Sequence, residues 1–92
     1  MTLLQFPAKD SDEVLDYQID WAANLAAGET ISTSTFTVDN GLTIQSQSNT
    51  TTVTTVWLAA GTEGLTAKIL NRVTTSGGRT MDQTVTLPIR KK

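Results

Sequence analysis

"TAKILNRVTTSGGRTMDQTVTLPI", residues 66–89, is two alternating runs joined by a glycine tip. A loop of Ser76, Gly77 and Gly78 sets Val73 opposite Met81 and Ile69 opposite Val85, so every large apolar side chain lands on one face. The same register brings Arg72 opposite Asp82 on the wet face, as a structural ion pair across the strands. Two unrelated features select one pairing, and the spacing therefore predicts an antiparallel hairpin. Pro88 predicts that the second strand ends there or lies at a sheet edge.

Period two extends outward from this hairpin. "LDYQIDW", 15–21, puts Leu15, Tyr17, Ile19 and Trp21 on one face and Asp16, Gln18 and Asp20 on the other. Residues 22–29 are too short and too near Gly28 for a stable helix and read as a connection. Residues 30–38 and 42–48 read as strands around "DNG", 39–41. Parity across that three-residue loop pairs Val38 with Leu42 and Phe36 with Ile44, with Gly41 in the left-handed conformation. Residues 51–59 form another strand, with Val53, Trp57 and Ala59 alternating against Val56 and Leu58. The pattern is that of a small antiparallel immunoglobulin-like β-sandwich of about six to seven strands without a disulfide; a half-open barrel is the alternative. Residues 1–10 read as a loose N-terminal segment, 11–90 as a single sandwich domain and 91–92 as a C-terminal tail.

Composition agrees with wet-faced sheets. The 92 residues are 38% hydrophobic and 17% charged, and eighteen are threonine, a β-branched residue at home on a solvated pleat. A net charge of −2 argues against nucleic acid as a partner. There is no cysteine, and no run approaches a membrane span. The N-terminus lacks a basic start and an apolar core, so no signal peptide is expected and the chain reads as made in the cytoplasm.

Each candidate site has a plainer counterpart. Gly61 and Gly64 in "VWLAAGTEGLTAKIL" precede an alternating strand rather than a helix, so they read as turn residues and not as a phosphate loop. The acidic run Asp10, Asp12, Glu13 and Asp16 lacks the central glycine and terminal glutamate of a calcium loop; a weak surface site is the alternative to a solvated strand lead-in. Without histidine or cysteine the usual general base and thiol nucleophile are missing, and Asp16 and Asp20 sit about 13 Å apart along a strand. The chain reads as a non-enzyme that needs no cofactor. Trp21 and Trp57 read as core, with sugar stacking as the alternative. Arg79, at the Gly77-Gly78 tip, is placed where contacts with partners are common.

Taken together, "KDSDEVLDYQIDWAANLAAGETI", "FTVDNGLTI", "VWLAAGTEG" and "NRVTTSGGRTMDQTVTLPIR" resemble the phage fibre–tail adaptor family, small immunoglobulin-like proteins of tailed phages and prophages. The resemblance spans about residues 9–90, and Ala23-Asn24 stands where bulkier or more acidic connectors are usual. It implies a structural virion component, made in the bacterial cytoplasm, that joins a fibre to the tail or decorates the neck. Its partners would be other tail, neck or fibre proteins and further copies of itself, not nucleic acid or membrane. It also implies that Asp10, Asp12, Glu13 and Arg79 are interface candidates, and it carries no catalytic residue. A carbohydrate- or surface-binding sandwich is the alternative function, and a small calcium-dependent or hydrolytic domain the third.

Overall fold

The computed structural model describes residues 4–92. Seven strands run in chain order: β1 (Leu4–Gln5), β2 (Leu15–Asp20), β3 (Ile31–Val38), β4 (Leu42–Asn49), β5 (Val53–Ala60), β6 (Thr66–Thr75) and β7 (Thr80–Pro88). They form two sheets, β1-β7-β6-β3 and β2-β5-β4, antiparallel throughout except for the short parallel β1–β7 pair. This order is immunoglobulin-like. The connection after β2 holds only a 3-10 turn, Ala22–Asn24.

The β6–β7 register is the one read from the sequence: Val73 opposes Met81, Ile69 opposes Val85 and Arg72 opposes Asp82. Trp21, Tyr17 and Ile19 from one sheet, and Phe36, Ile69, Val73, Val85 and Leu87 from the other, are buried in one core with Val56 and Leu58. Pro88 closes β7, as expected of a residue that cannot donate to a ladder.

Three expectations are corrected. Residues 39–41 do not join a hairpin. β3 pairs with β6 and β4 with β5, so the turn carries the chain from one sheet to the other. Parity fixes which face Phe36, Leu42 and Ile44 share, and two strands facing each other across a core satisfy it as well as two side by side. Asn40 and Gly41 both adopt left-handed backbone, at φ 51° and 81°. The turn is held by the 61–68 segment, with Asp39 Oδ1 accepting from the Lys68 N–H and Asn40 Nδ2 donating to the Thr66 carbonyl.

The ends are not loose. From Leu4 onward the chain is bound to β7: Phe6 N–H donates to the Thr86 carbonyl and Lys9 N–H to that of Pro88. At the other end Arg90 N–H donates to the Lys9 carbonyl, and Lys92 N–H to Asp10 Oδ2. Residues 1–3 lie outside the described residues.

Trp57 is not core. It is 42% exposed, whereas Trp21 is 3% exposed. On β5 the inward set is Thr54, Val56 and Leu58, and Trp57 opposes the outward Asp16 and Ser46. A bulge in β4 between Ile44 and Ser46 lets Ile44 pair with the buried Leu58 while Ser46 flanks the indole.

Candidate functional site

The outer face of the three-stranded sheet follows from this parity. β2 contributes Asp16, Gln18 and Asp20, β5 contributes Thr55, Trp57 and Ala59, and β4 contributes Thr43, Ser46 and Ser48. A large exposed indole thus stands on the central strand among short polar side chains. No lysine or arginine lies on these three strands, and the Asp16 and Asp20 carboxylates have no ion-pair partner among the described residues. The indole is 42% exposed among these smaller side chains.

The acidic turn is bound into the chain. Asp10 Oδ1 accepts from the Asp12 N–H at 2.9 Å, and Glu13 Oε1 accepts from the Asp10 N–H at 2.8 Å and from Lys92 Nζ at 2.9 Å. Backbone N–H groups hold the Asp10 and Glu13 carboxyls below their ordinary range, with Lys92 adding to the effect on Glu13. Asp10 and Glu13 therefore organise a turn, while the Asp12 carboxylate stays exposed. No cluster of three metal-ligating side chains occurs among the described residues.

Arg79 is engaged at the opposite end. Its guanidinium donates to both oxygens of Glu29 and to the Asn24 carbonyl. Glu29 also accepts from Thr75 Oγ1 at 2.5 Å and from the Ala26 N–H, and its side chain is only 6% exposed. Residues 24–29 are thereby clasped to the β6–β7 tip. An arginine beside Gly77-Gly78 reads as a surface contact when its partner, some fifty positions away, carries no local signal.

The Arg79 hydrogen bonds, followed by those from Thr75 and Ala26, lower the Glu29 pKa from 4.5 to about 2. A carboxyl depressed on folding contributes stability that is complete above its unfolded value and lost as pH falls through its folded value. Glu29→Gln should lose stability at pH 7 relative to wild type, with the gap closing between pH 4.5 and 2. Paired thermal melts across that range test this; a constant gap would remove Glu29 from the acid limb.

The remaining singled-out residues sit in an ion pair and in turns. Arg72 Nε and Nη2 meet the two Asp82 oxygens at 2.8 and 2.9 Å on the exposed face. Gly41, Gly61, Gly64 and Gly78 all take positive φ, and Gly77 lies against Glu29. Gly61 is the most constrained: at φ 109°, an added Cβ would come within 2.6 Å of Ile89 Cδ1.

Two further buried polar residues escape the alternation reading. Asn71 lies between Ile69 and Val73 at an inward position, where parity alone could have flagged it. Lys9 is fully buried, its Nζ donating to the carbonyls of Ala60 at 2.6 Å and Asp10 at 2.8 Å. A lysine in an acidic lead-in gives no local sign of burial.

A family model described as podophage GP4 fiber-tail adaptor protein gp77 matches residues 9–88. The chain belongs to this family. No curated protein matches it. The adaptor-family match begins at Lys9 and ends at Pro88, two residues joined by a backbone hydrogen bond of 3.0 Å. Fibre–tail adaptors are structural phage proteins, and the all-β sandwich with an exposed aromatic face is consistent with that role. No helix among the described residues is long and apolar enough to cross a membrane.

Proposed function

We propose that the chain is a non-enzymatic joint of a tailed-phage particle, fixing a fibre to the tail or decorating the neck. It would dock on other virion proteins, in several copies, through the outer face of the β2-β5-β4 sheet. The observation that carries this reading is Trp57, 42% exposed on the central strand of a face without cations. Interfaces draw most of their energy from a few aromatic or arginine anchors ringed by small polar groups, and Trp57 with Ser46 and Thr55 has that arrangement. The unpaired carboxylates Asp16 and Asp20 favour a basic protein surface and disfavour nucleic acid. Of Asp10, Asp12 and Glu13, which precede β2 in the chain, the exposed Asp12 would be the one available for a further contact.

Complementation of a phage lacking this gene tests the proposal. Trp57→Ala should reduce incorporation into particles about tenfold, as loss of an interface anchor does, while the isolated chain keeps its melting temperature. Particles loaded to the wild-type level would overturn it. The same exposed indole, with Asp16, Gln18 and Ser46 around it, favours sugar stacking as a second reading. Glycan-array binding that disappears in Trp57→Ala would put that reading first.

A further inference from the structure

The two flanks of the sandwich differ. On one flank Gln47 of β4 reaches across the layers, its Oε1 accepting from the Phe36 N–H on the edge of β3. This bridge ties the two sheet edges together. On the other flank, between β2 and the N-terminal segment, a groove of about 420 Å³ remains. Its apolar lining is Phe6, Pro7, Leu15 and Tyr17, with Asp16 and Lys92 also along it. The Phe6 and Tyr17 rings stack at 4.6 Å, and the buried Tyr17 hydroxyl has no hydrogen-bond partner among the described residues.

β2 is an edge strand, and its free edge borders this groove. The direction of its backbone groups follows from one bond beyond its end: Trp21 N–H donates to the Thr52 carbonyl at 2.8 Å. Trp21 and Thr52 continue the β2–β5 register, so in an alternating antiparallel ladder Leu15, Tyr17 and Ile19 also bond inward to β5. The N–H and C=O groups of Asp16, Gln18 and Asp20 then point off the edge. Three evenly spaced donor–acceptor pairs beside an apolar trough are the requirements for adding a strand.

The geometry points to the β2 edge as a strand-addition site for an extended, basic segment of a partner protein, seated beside Asp16, Gln18 and Asp20 with apolar side chains in the Phe6–Leu15–Tyr17 groove. Charge selects this occupant. Residues opposite Asp16 and Asp20 in an added strand share their outer face, where both carboxylates lack a cation, and lysine or arginine there makes favourable cross-strand pairs. Residues opposite Leu15 and Tyr17 share the inner face and enter the groove. The β4 edge also has outward backbone groups, but its flank is closed by Gln47 and it carries no charge to select a partner. The inference rests on the docking reading above and supplies its mode, since the added strand would extend the sheet that carries Trp57.

The test is a titration of the full isotope-labelled chain with a capped heptapeptide of alternating lysine and valine, followed by amide NMR. Saturable shifts and slowed exchange at Asp16, Gln18 and Asp20 are expected, and replacing the lysines by glutamates should weaken binding at least about tenfold. Gln18→Pro removes only an outward N–H, so it should weaken binding about tenfold while Gln18→Ala stays within about twofold. N-methylating alternate peptide residues tests the same contact without a protein variant: one set should abolish binding and the other spare it. Shifts confined to the β4 edge or to Trp57, equal binding of the glutamate peptide, or Gln18→Pro equal to wild type would overturn the inference. Should Trp57→Ala lose particle incorporation while β2 ignores the peptide, strand addition fails and the docking face stands. Should β2 bind the peptide while Trp57→Ala loads normally, strand addition stands and the indole anchor fails.

Discussion

Asn71→Ala is expected to destabilise the domain by about 3 kcal/mol, lowering the melting temperature by roughly 12–24 °C at this chain length. Asn71 is fully buried and saturated with hydrogen bonds. Its Oδ1 accepts from Trp21 Nε1 at 2.9 Å and Thr54 Oγ1 at 2.7 Å, and its Nδ2 donates to Ser34 Oγ and the Thr35 carbonyl, both at 3.0 Å. These bonds join the two sheets through the core, because Trp21 and Thr54 belong to the β2–β5 side and Ser34 and Thr35 to β3. Truncation opens a cavity, strands the buried Trp21 indole N–H, which costs about 1–3 kcal/mol when left unpaired, and leaves the Thr54 hydroxyl only the Ile19 carbonyl at 3.5 Å. Asn71→Leu separates the two contributions. It fills much of the space yet leaves the Trp21 indole N–H without an acceptor, so it should also destabilise. Wild-type stability in Asn71→Leu would show that volume, not hydrogen bonding, is what the position supplies. Trp21→Phe should cost less in the Asn71→Ala background than alone, since their shared bond is already gone.

Much of this architecture is legible in the sequence wherever local parity decides it. Gly77 centres a hairpin in which hydrophobic alternation and the Arg72–Asp82 pair agree, and the structure keeps that register throughout β6 and β7. The same parity is blind to which strand is the neighbour. It groups Phe36, Val38, Leu42 and Ile44 on one interior, a requirement that a sheet-to-sheet crossing meets as well as a hairpin does. Trp57 shows a second limit. With apolar residues on both faces of β5, alternation gives two face assignments without choosing, and the choice comes from Thr54, which is drawn inward to bond Asn71. Glu29 and Lys9 lie beyond local reading, because their partners are distant in the chain.

Lys9→Ala is expected to cost about 3 kcal/mol, and Lys9→Met less, about 1–2 kcal/mol. The lysine is fully buried, and its ammonium ends on two backbone carbonyls rather than on a carboxylate. One of them belongs to Ala60, a non-glycine residue in the left-handed region at φ 59°. A charged donor at that carbonyl offsets some of the strain of the turn, which Gly61 continues. Alanine removes both the stem and the donor. Methionine keeps most of the volume; both carbonyls lose the ammonium, but that of Asp10 still accepts from the Glu13 N–H. Burial lowers the Lys9 pKa below 10.5, against the opposing pull of Glu13, Asp10 and Asp12. The unfolded chain therefore holds this proton to higher pH than the folded one, and the titration of Lys9 makes stability rise with pH between the folded value and 10.5. Tyr17, raised to about 12 chiefly by burial, acts in the opposite sense above pH 10 in wild type and variant alike. Denaturant melts of wild type and Lys9→Met through the alkaline range isolate the lysine as their difference. Two parallel curves would show that the folded site does not perturb the proton, and that the Lys9 stem, rather than its charge, holds the N-terminal segment in place.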